Sequence, residues 1–136
     1  MKKISKVMAS SPESTFTQYL LRKLPKEIYS WKIMNSMQNG VPDTYISGMD
    51  GDLWAEMKWV KPPKRNTTII DPGLSELQKR WLVGRYREGR NVAVVIGSTI
   101  GCCILRKTRL LNTITKSDLT MSKQDVVRWI INQTQE

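Results

Sequence analysis

The chain has 136 residues, with 22 Lys and Arg against 12 Asp and Glu, and so carries a formal net charge of +10 at pH 7. This length fits one domain, and the 40% hydrophobic and 25% charged residues argue against wholesale disorder. Histidine is absent, which excludes Ser-His-Asp and Cys-His catalytic units, His-ligated zinc sites and a histidine general base. No apolar run approaches the ~18–20 residues that span a bilayer, and no apolar signal segment follows the basic N-terminus. We therefore expect an intracellular protein, in the cytoplasm of its own or a host cell or associated with the nucleoid, with no membrane partner.

Capping residues, apolar periodicity and turn residues divide the chain into a basic arm over 1–10 and a single domain over 11–136. They predict these elements in chain order: a helix from Ser11 to Pro25, a short strand over 29–33, a loop over 35–40, a hairpin of strands over 43–47 and 53–60, a basic loop over 61–73, a helix from Ser75 to Gly89, strands over 91–96 and 102–105, and a helix that begins at Ser122. The apolar stripes of the three helices are Phe16, Leu20 and Leu24; Leu74, Leu77, Trp81 and Leu82; and Val126, Val127, Ile130 and Ile131. This order is typical of a mixed α/β domain with a central sheet. The vicinal Cys102 and Cys103 are expected to be reduced and structural.

The predicted hairpin brings two acids and a lysine to one patch. Glu56 and Lys58 lie two residues apart, so they project from the same side of their strand. The turn at Asp50-Gly51 folds the first strand back, and Asp43, at its far end, then comes near both of them. Asp43 could instead be only a turn residue, and Glu56 and Lys58 only a solvated strand face.

Two converging carboxylates repel each other, and a divalent metal relieves that repulsion. Hard oxygen ligands suit Mg²⁺, with Mn²⁺ as a substitute, and such an ion can polarise a phosphoryl group and activate water. Lys58, beside the acids, is placed to orient that water or to stabilise developing negative charge. The patch therefore favours phosphodiester hydrolysis without histidine, and the pI of about 9.9 favours a nucleic acid as the partner.

Here the chain resembles the PD-(D/E)xK nuclease superfamily, since Pro42-Asp43 matches its PD element and Glu56-Met57-Lys58 matches its ExK element. It is most similar to the VRR-NUC family, whose members read Gly-Val-Pro-Asp, a hairpin, an acid-x-Lys strand, a Gln-bearing helix and an apolar strand. In this chain those segments are 40–43, 54–58, 74–78 and 92–96, and the match covers roughly residues 11 to 97.

The resemblance implies a restriction-endonuclease-like α/β core, with a central mixed β-sheet flanked by helices. It implies a Mg²⁺-dependent, structure-specific endodeoxyribonuclease that acts as a homodimer on branched DNA, Holliday junctions first and flaps second, leaving a 5′-phosphate and a 3′-hydroxyl. Asp43 and Glu56 would hold the metal, the carbonyl of Met57 would complete its shell, and Lys58 would position the attacking water.

The resemblance implies a role at the active site for two further residues, each of which also has a purely structural explanation. Glu13 lies on the core-facing stripe of the first helix and would support a second metal or a water, although an acid in a first helical turn also suits the helix dipole. Gln78 would hydrogen-bond Glu56, Lys58 or the scissile phosphate, although Ser75 to Gln78 also reads as a capping box. Both roles could hold for Gln78.

The basic loop after the second strand supplies candidate DNA contacts, namely Lys61, Lys64 and Arg65, which are either phosphate ligands or part of a solvated loop. A homodimer also follows from geometry, because symmetric resolution of a four-way junction needs two cuts and a two-fold assembly supplies two sites. Other possibilities stay open: a non-catalytic basic DNA-binding module, a flap or other DNA nuclease, a sequence-specific restriction enzyme, or a nuclease acting on RNA.

Overall fold

The computed structural model describes residues 11–33 and 39–135; the predicted arm over 1–10 and most of the predicted loop over 35–40 lie outside them. Its elements are α1 (Pro12–Arg22), β1 (Tyr29–Lys32), β2 (Thr44–Gly48), β3 (Gly51–Trp59), α2 (Glu76–Arg87), β4 (Val92–Gly97), β5 (Cys103–Arg106) and α3 (Lys123–Thr134). Two short 3₁₀ turns, Lys107–Arg109 and Lys116–Asp118, precede α3 and were not predicted. The division into an arm and one domain stays a prediction.

The strands form one mixed sheet in the order β1-β2-β3-β4-β5. The β3 and β4 strands are parallel and are joined through α2, whereas every other neighbouring pair is antiparallel. The β2–β3 hairpin closes at Gly48 and Gly51, so its loop is Met49-Asp50, one residue before the predicted Asp50-Gly51 turn. The expected fold class, an α/β domain with a central mixed sheet flanked by helices, is confirmed.

Local capping explains where the helices begin. Ser11 accepts a hydrogen bond from the Ser14 N–H at 3.0 Å, and Ser75 and Ser122 each head a capping box. The α1 helix ends at Arg22, ahead of Pro25, since proline disfavours helical backbone in the residue before it. All three predicted helices are confirmed.

Each face of the sheet carries its own apolar core. On one face α1 and α3 pack against Leu53, Ala55 and Met57, which are fully buried. On the other face α2 packs against β4 and β5. The unbroken burial of β4 agrees with its apolar sequence, because a strand covered on both faces has no polar side. Both cysteines are buried free thiols.

One position of the predicted α2 stripe is wrong. The Leu77 side chain is 44% exposed, whereas the buried residues of the helix are Gln78 and Leu82. The inward face of α2 therefore begins on a polar residue, and this polar residue belongs to the site described next. None of the helices described in residues 11–33 and 39–135 has the length and apolar character needed to cross a membrane.

Candidate active site

Glu56 is a carboxylate buried in the centre of β3, with an exposed fraction of only 3%. Its Oε1 accepts a hydrogen bond from the Asp43 N–H at 3.1 Å. Its Oε2 accepts one from Gln78 Nε2 at 3.0 Å and lies 3.5 Å from Lys58 Nζ. A buried charge is costly unless it is paired and hydrogen-bonded, and these contacts supply both.

Asp43, the residue directly before β2, is held in turn by hydrogen bonds to its own carboxylate. Its Oδ1 accepts hydrogen bonds from the Met57 N–H at 3.2 Å and from the Thr44 hydroxyl at 2.9 Å. Glu56 is thus held by the backbone N–H of Asp43, and Asp43 by the backbone N–H of Met57, the residue next to Glu56. These two hydrogen bonds fix the carboxylates relative to each other. Within residues 11–33 and 39–135, no hydrogen bond reaches Asp43 Oδ2, which leaves one carboxylate oxygen for another ligand.

The surroundings disfavour the ionised forms of both acids. Burial raises the pKa of Asp43 to about 6, and the nearby negative charge of Glu13 adds to the rise, whereas the Thr44 and Met57 hydrogen bonds oppose it. Burial, followed by the charge of Asp43, raises the pKa of Glu56 to about 7, against the opposing charge of Lys58. Such raised pKa values in adjoining carboxylates are frequent at functional sites.

Gln78 reaches this cluster from the first turn of α2. Its amide has two partners: Nε2 donates to Glu56, while Oε1 accepts from the Ser75 N–H at 2.9 Å. The capping box and the contact with the acid are therefore both present, and they use opposite ends of one side chain. The predicted proximity of Gln78 to Glu56 is observed.

The approach of the Gly40–Asp43 segment to α2 requires a residue without a side chain. Gly40 has φ +74°, and a Cβ there would lie 2.2 Å from the backbone oxygen of Leu77. The glycine of the Gly-Val-Pro-Asp segment thus lets the chain pass against the start of α2 and enter β2 at Asp43.

Lys58 is mostly buried, with its Nζ between two acceptors. Besides Glu56, the ammonium lies 3.3 Å from the Gly73 carbonyl, at the end of the basic loop. These contacts place a cation beside the carboxylates while part of its donor capacity remains free, since an ammonium has three N–H groups.

Glu13 stands at the border of this cluster. It lies in the first turn of α1, half-buried, and close enough for its charge to act on Asp43. However, the described part of the chain contains no group of three or more Cys, Asp or Glu side chains able to hold one ion. The structure therefore does not join Glu13 to Asp43 and Glu56 as one ligand set.

Lys61, Lys64 and Arg65 are all exposed and lie just beyond the end of β3. Across the described residues, none of the three pairs with a carboxylate. The Lys64 carbonyl lies 3.4 Å from Lys116 Nζ, which adds another cation to this surface. The loop is thus free to meet an anionic partner.

Sequence reasoning missed two residues that act on Asp43. Thr44 is fully buried and donates to its carboxylate, and Lys32 lowers the pKa of Asp43 by its positive charge. The position of Thr44 directly after Asp43 was a possible signal. Lys32 could not be found from the sequence, because its proximity depends on the pairing of Lys32 with Thr44 between β1 and β2.

The donor set fits a hard divalent cation. Two adjoining carboxylates with raised pKa values are less easily ionised together, and a divalent ion bound between them would offset their repulsion. Mg²⁺ commonly takes one or two carboxylates and keeps its remaining positions for water and substrate phosphate. An ion held in this way would be able to polarise a phosphoryl group and lower the pKa of a bound water.

No protein-family model matches the chain, and no curated protein matches it. The fold is similar to a solved structure of Archaeoglobus fulgidus Hjc, a Holliday junction resolvase from an archaeal hyperthermophile. The two chains are 20% identical and superpose with a TM-score of 0.54, and the match covers 85% of this chain and 97% of that chain. At this identity the similarity establishes the fold and agrees with a restriction-endonuclease-like core; the assignment to VRR-NUC stays a prediction.

Proposed function

We propose that this protein is a Mg²⁺-dependent endodeoxyribonuclease that hydrolyses phosphodiester bonds in branched DNA, with Holliday junctions as the first substrate. One observation carries the proposal: the buried Glu56 and the half-buried Asp43 accept hydrogen bonds from backbone N–H groups of each other's strands, and Glu56 also contacts Lys58 and Gln78. A protein that only bound DNA would gain nothing from two adjoining acids facing a phosphate backbone.

In this mechanism Asp43 and Glu56 would hold the ion, with the carbonyl of Met57 as a further ligand. A bound ion would supply Lewis-acid polarisation of the phosphoryl group and a water of lowered pKa. Lys58 Nζ donates a hydrogen bond to the attacking water or to a non-bridging phosphate oxygen, where negative charge develops. Gln78 acts as a positioning residue, since its amide fixes the Glu56 carboxylate. The expected products carry a 5′-phosphate and a 3′-hydroxyl.

Branched DNA is the substrate that the fold and the charge favour together. The structural neighbour is named as a Holliday junction resolvase, and the net charge of +10 suits a polyanion that approaches from several directions. Lys61, Lys64 and Arg65 would contact the backbone near the cut, and phosphate contacts of this kind position DNA without reading its sequence.

The proposed active form is a homodimer, and the surface that would form it is an aromatic row on the sheet. Trp31 and Tyr29 of β1 are 51% and 59% exposed. Trp31 pairs with Tyr45, which pairs with Trp54, so the row continues inward across the sheet. Because β1 is the last strand at its edge of the sheet, a second copy could cover both the rings and the edge.

Light scattering and sedimentation test the dimer. Wild type is expected to be dimeric at micromolar concentration, and Trp31→Glu is expected to be monomeric. Met49→Glu is the matched control, because Met49 is also exposed and apolar but lies at the hairpin tip. A monomeric wild type would contradict this assembly.

Cleavage of end-labelled substrates tests the function. The panel is a four-way junction, a flap, a splayed arm and a linear duplex of matched sequence, each with Mg²⁺, and a matched RNA duplex. We expect symmetric cuts in the junction by wild type, no cuts by Asp43→Ala or Lys58→Ala, and normal cutting by Glu27→Gln, which removes an exposed acid outside the site. Tight DNA binding without cleavage in Mg²⁺ or Mn²⁺ would favour a binding module instead.

A further inference from the structure

A small basic cavity lies at the end of the sheet away from Lys58. It occupies about 210 Å³ between the end of α2, the start of β4 and the end of β5, and its lining includes Tyr86, Arg90, Asn91, Arg106 and Lys107. Three of these side chains are cations, and no acid lines the cavity. Across the described residues, none of the three lies within 4 Å of a carboxylate.

The guanidinium of Arg106 is held in place by neutral groups. It lies 5.2 Å from the centroid of the Trp129 ring, and one of its terminal nitrogens donates to Gln133 Oε1 at 3.3 Å. The same Gln133 oxygen accepts from Asn91 Nδ2 at 3.1 Å, which fixes it in turn. Arg106 Nε is buried and has no partner in the described part of the chain. A half-buried cation that is oriented but not neutralised is costly, and an anion would offset that cost.

The backbone at Lys107 is strained, which is an independent observation. Lys107 has φ +54°, and it is the one non-glycine residue of the described ranges with a positive φ. Glycine would adopt this conformation without strain, whereas a side chain there is unfavourable. Strained backbone of this kind clusters at ligand-binding positions, and the strain here puts a cation at the rim of the cavity.

We propose that this cavity is a second phosphate-binding site, which holds a DNA backbone phosphate away from the cut through Arg106, Lys107 and Arg90. The part of the inference that concerns DNA rests on the proposed function. The cavity is smaller than the ~300 Å³ at which pockets for drug-sized ligands begin, so it fits a single phosphate group and not a base or a nucleotide.

The register places this site apart from the acids. The Asn91 carbonyl accepts from the Trp54 N–H at 3.0 Å, and Trp54 precedes Glu56 by two residues on β3. At ~3.3 Å per residue the cavity therefore lies about 7 Å from Glu56 along the strands. A phosphate held there belongs to DNA that flanks the scissile bond, so its loss should weaken binding without changing the chemistry of the cut.

The test is DNA binding without cleavage, measured by fluorescence anisotropy in EDTA across a salt series. Lys107→Gly is the most informative variant, because it removes the cation, which should weaken DNA binding, and also the backbone strain, which should not lower the stability. We expect it to keep or raise the thermal stability, to raise the Kd for junction DNA roughly three- to tenfold, and to lower the salt slope by about 0.9. Arg106→Gln should do the same to binding. Lys26→Gln is the charge-matched control, since Lys26 is exposed and lies just before β1 at the opposite edge of the sheet.

A second experiment adds inorganic phosphate and measures thermal protection, to distinguish binding of free phosphate from binding of a DNA backbone. Protection of wild type but not of Lys107→Gly, with DNA binding unchanged, would assign the site to a free phosphate and overturn the DNA part of the proposal. If wild type and both variants had the same DNA affinity, the same salt slope and the same thermal protection, the proposal that the cavity binds phosphate would be overturned. If wild type bound no DNA, the proposed function would fail, and the experiment with inorganic phosphate alone would decide whether the cavity binds phosphate.

Discussion

Replacing Asp43 by asparagine should stabilise the metal-free protein at alkaline pH. Asparagine is isosteric, and its Oδ1 can keep the hydrogen bonds from Met57 and Thr44. Its amide nitrogen replaces Oδ2, which accepts no hydrogen bond within the described residues. The substitution therefore removes a partly buried charge and retains the hydrogen bonds from Met57 and Thr44. A gain in stability is unusual when a residue proposed to be essential for activity is replaced.

The sign and size follow from the pKa of Asp43, which burial raises to about 6 from an ordinary 3.8. A carboxyl group whose folded pKa is raised stabilises the fold fully below its unfolded pKa, and this stability is lost as the pH rises through the folded pKa. Relative to strongly acidic solution, the raised pKa thus lowers the free energy of unfolding by about 3 kcal/mol at pH 8 and by about 1 kcal/mol at pH 4.5. Relative to wild type, Asp43→Asn should gain on the order of 2 kcal/mol more at pH 8 than at pH 4.5.

Urea unfolding at both pH values, in EDTA, measures this difference, and a thermal scan at pH 8 should show a midpoint raised by about 10 °C. In Mg²⁺ the difference in stability between Asp43→Asn and wild type should narrow or reverse, because only wild type retains the full carboxylate pair and gains stability from the ion. If Asp43→Asn is less stable than wild type by the same amount at both pH values, Asp43 serves as a structural turn residue, and the raised pKa of its carboxyl group is contradicted.

Two further substitutions test how the cluster is built, each with its own control. Gln78→Leu should cost about 1.5–3 kcal/mol in urea unfolding at pH 8 and slow cleavage, because Glu56 loses a buried donor. Ser75→Ala, which removes only a cap, should cost about 1 kcal/mol and leave cleavage unchanged; equal cleavage by both variants would remove Gln78 from the site. Gly40→Ala should cost more than ~2 kcal/mol, since its Cβ would meet a backbone oxygen of α2 at 2.2 Å. Gly73 also has a positive φ, +88°, but a Cβ there would meet no atom within 4 Å, so Gly73→Ala should cost only ~1 kcal/mol. Similar losses of stability at both glycines would contradict the close approach of Gly40 to the start of α2.

Much of the fold was predictable because local signals agreed with the tertiary structure. Serine caps marked all three helix starts, and the predicted hairpin was correct in place, although its loop is Met49-Asp50; this loop sets the register that places Asp43 opposite Glu56. The alternation of β3 separated its apolar side from the side of Glu56 and Lys58. The contacts among the acids, lysine and Gln78 follow from these local features, whereas their catalytic role is a proposal.

The remainder depended on long-range packing that no local pattern encodes. Leu77 has the right spacing for a buried helical position but is 44% exposed. The spacing of Gln78 with Leu74 and Leu82 did predict its inward position, whereas its hydrogen bond with Glu56 depends on how α2 packs on the sheet. The Arg106 cavity is formed by ends of elements that are distant in sequence, and the Asn91–Gln133 contact spans 42 residues. The positive φ of Lys107 likewise has no signal in a residue type that rarely adopts it.

Single-turnover cleavage of a four-way junction by wild type and Asp43→Asn, with binding measured in parallel on the same DNA in Ca²⁺, tests the proposed metal-binding pair directly. We expect wild type to cut only with Mg²⁺ or Mn²⁺. We expect Asp43→Asn to bind at least as tightly, because a negative charge near the phosphate is gone, but not to cut. Cleavage by Asp43→Asn at the wild-type rate, or cleavage by wild type in EDTA, would contradict the assignment of Asp43 and Glu56 as a metal-binding pair.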